Sequence, residues 1–247
     1  MEAINKMEIR KSDNVTVFGD SIPKGIISTN NKITTLSENV INKVEKYYSI
    51  NISNFSQFGQ TLSRLNEKKI IEKYLDDIKS KGTSVHEDVR NIAVIALGGN
   101  DSDFDWKEVA ISPTSEHKNK TPLSQFKIIL QNMITRLQEN NVLVVVSTIA
   151  PILPQQYFDN HISKLADGNE VLKFLNYDLT NIQREQEAYN IAILDIAQKN
   201  KCKVIDTRSA FLMTRDILSL YCEDGIHPNE LGHEYLFKTI TETLKKI

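Results

Sequence analysis

The sequence predicts an α/β fold in which one parallel sheet lies between two layers of helices. Five short, apolar, β-branched runs recur along the 247 residues, and long segments with helical periodicity separate them. Two of the runs are apolar nearly throughout, which is typical of strands buried on both faces of a parallel sheet. Because alternating strands and helices imply crossover connections, we expect a three-layer α/β/α fold with a five-stranded parallel sheet.

The first half of the chain supplies two predicted strands and one long helical pattern. The strands are the apolar runs Asn14–Gly19 and Asn51–Ser56. The helical pattern covers Leu62–Lys79, where apolar side chains recur at Leu62, Leu65, Ile70, Tyr74, Leu75 and Ile78. This spacing predicts an amphipathic helix that packs on the sheet.

The second half repeats the alternation three times. The predicted strands are Ile92–Gly98 (IAVIALG), Val142–Thr148 (VLVVVST) and Cys202–Asp206. The helical patterns are Leu123–Asn140, Tyr177–Asn200 and Leu231–Ile247. The last of them carries an apolar stripe at Leu236, Ile240, Leu244 and Ile247, which predicts core packing and not a membrane helix.

Two polar stretches, residues 101–121 and 151–169, interrupt the alternation, and each follows a predicted strand. In an open parallel sheet, ligands bind outside the carboxyl ends of the strands. We therefore expect both stretches to overhang a site there, with plain surface loops as the alternative. The chain shows no internal repeat, low-complexity tract or linker, so residues 1–247 are predicted to form a single domain.

The composition excludes several classes of protein. A net charge of −2 and a pI of about 6.2 give no electrostatic reason to expect nucleic acid or an anionic membrane as partner. The first 14 residues lack the apolar run of a signal peptide, and no stretch approaches the ~18 apolar residues of a membrane span. Cys202 and Cys222 have no metal or redox spacing and are expected to be free thiols. The sequence thus favours a cytoplasmic protein and leaves the oligomeric state open.

The first motif with chemical content is VTVFGDSIPKG, residues 15–25. A strand runs into Gly19, so Ser21 is expected at the carboxyl end of that strand and at the start of a helix. Its hydroxyl would face the sheet edge, where nearby N–H groups favour developing negative charge. A helix-capping serine is the alternative. A phosphate-binding loop is excluded because Gly25 is followed by Ile26 and not by lysine.

Three further motifs follow in chain order. Gly59 comes after the second strand and could offer an unhindered backbone N–H. Asn100, in ALGGND after the third strand, puts an amide donor at the same sheet edge as Ser21. Asp224 and His227, in DGIHP before the last helix, have the spacing for a carboxylate that orients a catalytic imidazole. Taken singly, these residues fit ordinary turns as well.

Together the four motifs resemble the blocks of the SGNH (GDSL-type) hydrolase superfamily, in which Ser, Gly, Asn and His occur in this order. The blocks here are Gly19-Asp20-Ser21, Gly59, Gly98-Gly99-Asn100-Asp101 and Asp224-Gly225-Ile226-His227-Pro228, spanning nearly the whole chain. The resemblance implies the flavodoxin-like fold of that superfamily. The first block has Ile22 where the family name has leucine; we expect this side chain to pack and not to react.

The resemblance also implies roles for these residues. Ser21 would be the nucleophile, His227 the general base and acid, and Asp224 its orienting partner. The backbone N–H groups of Ser21 and Gly59 and the side chain of Asn100 would form the oxyanion hole. The implied activity is hydrolysis of a small-molecule acyl ester through an acyl-enzyme, without a cofactor. Acetylated sugars, lysophospholipids and acyl thioesters are all candidates, and the lack of a long apolar groove-forming segment favours short acyl chains.

Two other functions use the same fold. An O-acyltransferase would keep the Ser21 site and pass the acyl group to a sugar hydroxyl. A non-catalytic binding module would have no need for Ser21, Asn100, Asp224 and His227 together. A calcium loop at Asp101, Asp103 and Asp105 is excluded because Trp106 and Ser112 stand where such a loop needs glycine and glutamate. The remaining histidines, His86, His117, His161 and His233, have no ligand-spaced partners.

Overall fold

A sheet of five parallel strands forms the centre of the molecule, in the order β5-β2-β6-β7-β8. The computed structural model describes residues 7–29, 32–80 and 89–246. Its strands are β1 (Met7–Ile9), β2 (Asn14–Gly19), β3 (Ile26–Thr29), β4 (Lys32–Thr35), β5 (Ile52–Asn54), β6 (Asn91–Ala96), β7 (Val142–Ser147), β8 (Lys203–Ile205) and β9 (Leu244–Lys246). The predicted strands are confirmed, each within two residues of its predicted ends.

Helices cover both faces of this sheet, so the predicted α/β/α arrangement is confirmed. They are α1 (Ser21–Lys24), α2 (Val40–Tyr48), α3 (Leu62–Glu67), α4 (Ile70–Ser80), α5 (Trp106–Ile111), α6 (Leu123–Glu139), α7 (Pro154–Tyr157), α8 (Ser163–Leu165), α9 (Gly168–Phe174), α10 (Thr180–Lys199), α11 (Thr207–Met213) and α12 (Glu230–Thr243). A π-helical turn, Phe158–Ile162, joins α7 to α8, and a 3₁₀ turn, Ile217–Leu220, follows α11. Within the described ranges, no helix is both long and apolar enough to cross a membrane.

Side chains that alternate in direction along the strands form a separate apolar core on each face of the sheet. On β6, Ala93 and Ile95 pack with the helices α3, α4, α6 and α10. Ile92 and Val94 face the other way and pack with α2 and α12. Successive strand residues point to opposite faces, so two apolar faces require the nearly continuous apolar runs seen in the sequence.

The structure corrects two predicted helices. Leu62–Lys79 is not one helix, because the chain breaks at Lys68 and at Lys69, which has a φ of +53°. The final helix ends at Thr243, and Leu244–Lys246 forms a strand that pairs in parallel with Met7–Ile9. The antiparallel hairpin of β3 and β4 was not predicted. Cys202 and Cys222 are free thiols, as expected.

The two polar stretches fold into a cap with its own apolar cluster. The first contains α5, and the second contains α7, α8 and the π-helical turn. Phe104, Trp106 and Val109 of the first pack with Ile152, Tyr157 and Ile162 of the second. Because both stretches leave carboxyl ends of neighbouring strands, the cap lies over that edge of the sheet.

Candidate active site

Ser21 lies where β2 passes into α1. The strand ends at Gly19, and the Asp20 carboxylate caps the short helix by accepting the backbone N–H of Ile22 at 3.0 Å. This cap fixes Ser21 as the first helical residue, and its side chain is buried. Gly19 pairs with Ala96, so β2 and β6 end side by side and bring Ser21 and Asn100 to the same sheet edge.

The turn that carries Asp224 and His227 is held at several points. The Asp224 Oδ1 atom accepts the backbone N–H groups of Ile226 and His227, at 3.1 and 3.0 Å. Gly225 has a φ of +69°, and a Cβ at that position would lie 2.8 Å from the Leu153 carbonyl oxygen. Only glycine meets both conditions, and its own carbonyl accepts the Leu153 N–H at 2.9 Å. The turn is therefore anchored to the segment that follows β7.

Ser21, His227 and Asp224 form a continuous hydrogen-bonded chain. His227 Nδ1 lies 2.7 Å from Asp224 Oδ2, and His227 Nε2 lies 3.0 Å from Ser21 Oγ. All three side chains are buried. An ionised carboxylate only accepts hydrogen bonds, so Nδ1 carries the proton and Nε2 is left to accept from the serine hydroxyl.

Asp224 remains ionised despite its surroundings. Burial acts to raise the pKa of its carboxyl group, but the hydrogen bond and charge of His227 and the two backbone N–H donors outweigh burial. The net result is a pKa below the ordinary value of 3.8. An ionised Asp224 can stabilise positive charge on the imidazole.

The predicted site residues line one cavity of about 430 Å³. They are Ser21, Gly59, Asn100, Asp224 and His227. Phe58, half-exposed at the mouth of the cavity, places its ring nearly parallel to the His227 imidazole, with ring centroids 6.1 Å apart. The cap supplies the opposite wall, so the expected overhang of both polar stretches is confirmed.

A network around Asp103 forms the polar wall of this cavity. Its carboxylate accepts hydrogen bonds from Trp106 Nε1 at 2.9 Å and from the Tyr157 hydroxyl at 3.0 Å. Lys120 Nζ lies 2.7 Å from the same carboxylate. The Trp106 indole is buried and hydrogen-bonded, and it also lines the cavity.

Sequence reasoning missed His161, which lines the cavity and stacks on the Tyr157 ring with centroids 5.2 Å apart. Burial lowers its pKa below 6.5, which favours the neutral imidazole. His117 instead contacts the Ser112 carbonyl, and His233 is buried with its Nδ1 accepting the Val40 N–H. His86 lies outside the described residues. The only sequence signal for His161 was its place in a polar stretch after a strand.

The serine and asparagine motifs each contain a buried carboxyl group, Asp20 in the first and Asp101 in the second. Burial raises the pKa of Asp20 to about 6 and that of Asp101 to about 6. Asp101 is fully buried, and its Oδ1 accepts the Leu62 N–H at 2.8 Å, which ties the third motif to α3. Asp101, Asp103 and Asp105 thus serve separate structural purposes: Asp105 caps α5.

This geometry defines a class of protein: an α/β/α fold with a buried Ser–His–Asp chain at the switch point of its parallel sheet. The particular family follows from the sequence as a whole. The chain belongs to the GDSL-like lipase/acylhydrolase family, whose pattern matches residues 17–235, and it is accordingly an ester hydrolase. The resemblance drawn from the four motifs is confirmed.

Solved structures of similar fold cover nearly the whole chain. A lipase/acylhydrolase from Enterococcus faecalis is 17% identical, with 95% of this chain and 94% of that chain aligned and a TM-score of 0.61. A variant of an acetyl-xylooligosaccharide esterase from Geobacillus is 18% identical over 97% of each chain, with a TM-score of 0.63. An acetyl xylan esterase is 19% identical over 93% of this chain and 98% of its own, with a TM-score of 0.58. Comparison with curated protein sequences gave no match.

Proposed function

We propose that this protein hydrolyses carboxylic esters through an acyl-enzyme on Ser21. The observation that carries the proposal is the hydrogen-bonded chain from Ser21 through His227 to Asp224. A serine hydroxyl is a weak nucleophile until a base accepts its proton, and the His227 Nε2 atom is within reach to do so.

In the first step, Ser21 Oγ attacks the ester carbonyl carbon while its proton passes to His227 Nε2. The imidazole then carries positive charge, which the ionised Asp224 stabilises through the Nδ1 hydrogen bond. The carbonyl π electrons move onto the oxygen and form an oxyanion. The backbone N–H groups of Ser21 and Gly59 and the Asn100 side chain are the donors that we assign to it.

In the second step, the oxyanion collapses and the bond to the alcohol oxygen breaks. His227 returns its proton to that oxygen, so a neutral alcohol leaves and the acyl group remains on Ser21. Water then attacks the acyl carbon as His227 takes one of its protons. When the second oxyanion collapses, the bond from the acyl carbon to Ser21 Oγ breaks and the acid leaves. His227 returns its proton to Ser21 Oγ, which restores the hydroxyl.

The polar wall supports a hydroxyl-rich alcohol as the leaving group. Asp103, Lys120 and His161 lie together on the side of the cavity formed by the cap. Charged and neutral polar groups of this kind recognise hydroxyl groups by hydrogen bonds. Two of the proteins of similar fold are an acetyl xylan esterase and an acetyl-xylooligosaccharide esterase, which agrees with a carbohydrate alcohol.

Hydrolysis of p-nitrophenyl esters, from acetyl to palmitoyl, by wild type and Ser21→Ala tests the proposal. We expect turnover by wild type and a loss of about 10⁴-fold or more in the variant, because the nucleophile is gone. Ser28→Ala is the matched control: Ser28 also lines the cavity, but we assign its hydroxyl no role. Equal rates for Ser21→Ala and wild type would refute the proposed nucleophile.

A further inference from the structure

A second cavity, of about 110 Å³, lies inside the molecule between the sheet and the helices α2 and α12. Its sheet side is formed by side chains on one face of all five strands of the central sheet, among them Val15, Val17, Val94, Ala96 and Val145. Its helix side is formed by Val40, Ile41, Val44, Leu236 and Ile240. The lining is thus aliphatic on both sides.

This cavity is a departure from ordinary packing. Val94 and Ala96 lie on the central strand of the sheet, yet neither side chain is fully buried. Protein interiors are close-packed, so a void that leaves the middle strand accessible is unusual. The hydroxyl groups at the end of the cavity that adjoins the catalytic site are hydrogen-bonded within the protein. Ser147 Oγ, for example, lies 3.1 Å from Thr207 Oγ1. Apolar cavities of this kind stay dry and take apolar ligands.

The upper end of the cavity adjoins the catalytic site. Five residues line both cavities: Asp20, Ile22, Gly99, Ile149 and Ala150. Asp20 and Ile22 are the two neighbours of Ser21 in sequence, and Gly99 precedes Asn100. An acyl group bonded to Ser21 therefore has this shared wall directly beside it.

We infer that the apolar cavity receives the aliphatic acyl chain of the ester substrate, with the chain bonded to Ser21 in the acyl-enzyme. The inference rests on the proposed function. The chain would run along the sheet face from Asp20 towards Val15. Because a dry apolar cavity of about 150 Å³ holds one benzene molecule, a cavity of about 110 Å³ holds roughly four to five carbon atoms.

The inference gives a structural basis to the preference for short acyl chains that the sequence alone favoured. It assigns a chain of about four to six carbons, butanoyl to hexanoyl, to the acid side of the substrate and leaves the polar wall of the catalytic cavity to the alcohol. Passage into the cavity requires rotation of Ile22 or Ile149, whose side chains stand in the shared wall.

The test is the ratio of kcat/KM for hexanoyl and acetyl esters. We expect this ratio to favour hexanoyl in wild type and to fall about tenfold in Val94→Met, since one misfitting methylene costs 10-fold or more. Val146→Met is the matched control: it makes the same change one strand away, on the opposite face, in a filled core. The melting temperature should fall in Val146→Met and not in Val94→Met, because only the latter fills a void.

A binding measurement separates this inference from the proposed function. Hexanoic acid should raise the melting temperature of both wild type and Ser21→Ala, and have no effect on Val94→Met. Binding by wild type without ester turnover would refute the esterase and keep the cavity as a ligand site. A wild-type rate that falls steadily beyond acetyl, together with no thermal shift by hexanoic acid, would overturn the inference, as would equal ratios in the two methionine variants.

Discussion

In the proposed oxyanion hole, Asn100 is the one residue that contributes a side-chain donor. It follows β6 at the edge where β2 ends in Gly19, and it lines the same cavity as Ser21. Backbone N–H groups at Ser21 and Gly59 are present whatever side chains those positions carry. The third donor depends on the amide of Asn100 alone.

Asn100→Ala should therefore lower kcat by about 10²–10³ with little change in KM, since the lost hydrogen bond strengthens in the transition state. Steady-state kinetics on an ester that wild type hydrolyses well would measure both constants. Urea unfolding would serve as the control for folding, because Asn100 is only half-buried. An unchanged kcat would remove Asn100 from the oxyanion hole.

At the scale of elements, the apolar runs were the reliable signal. The strand Asn14–Gly19 has the predicted ends because alternating residues are buried on both faces. The helix break at Lys69 was hidden, because apolar spacing continues across it from Leu65 to Ile70 and only the backbone angle changes. The strand Leu244–Lys246 was hidden for another reason: its partner, Met7–Ile9, lies more than 200 residues away.

The contact between α12 and the 3₁₀ turn decides the position of the catalytic turn. Asn229 caps α12, and its side-chain amide donates to the carbonyls of Ser219 and Tyr221. Gly232, in the first turn of the helix, packs directly on the Leu220 carbonyl: a Cβ there would lie 2.2 Å from that oxygen. His227 lies in the chain between the 3₁₀ turn and α12, so these contacts support its position.

Gly232→Ala should consequently destabilise the protein by about 2 kcal/mol, although alanine normally stabilises a helix interior by about 1 kcal/mol over glycine. Activity should fall with it, because the backbone shift moves the turn that holds His227. Lys238→Ala, on the exposed side of the same helix, should change stability by less than about 0.5 kcal/mol. Urea unfolding of both variants measures the difference, and a stabilised Gly232→Ala would contradict the contact.

At the scale of the whole molecule, the sheet topology gathers the motifs. With β5-β2-β6-β7-β8 as the order, the switch point lies between β2 and β6, whose carboxyl ends carry Ser21 and Asn100. Strand placement was enough to predict that Ser21 and Asn100 share a sheet edge, but the order of the strands was not predicted. The cap cluster and the apolar cavity were not predictable, because both depend on how side chains from distant segments fill space.

The position of the motifs also buries two carboxyl groups whose pKa values rise to about 6, Asp20 and Asp101. Burial is the main cause for both. In the unfolded chain such groups titrate near 3.8, so between about pH 4 and pH 6 the folded state holds more protons than the unfolded state. Their contribution to stability is complete below pH 4 and is lost as pH rises through 6. Asp224, with its lowered pKa, acts in the opposite direction and loses its contribution in acid.

Asp101→Asn isolates this effect, since asparagine can still accept the Leu62 N–H and cannot ionise. Relative to wild type, the variant should gain on the order of 3 kcal/mol in stability between pH 4 and pH 7, the equivalent of about two pKa units. Urea unfolding at pH 4, 5, 6 and 7 gives the two curves, and curves that stay parallel would mean that Asp101 titrates alike in both states.

Part of the rise in the Asp101 pKa comes from the Asp20 charge. The gains of Asp20→Asn and Asp101→Asn should therefore not add in the double variant.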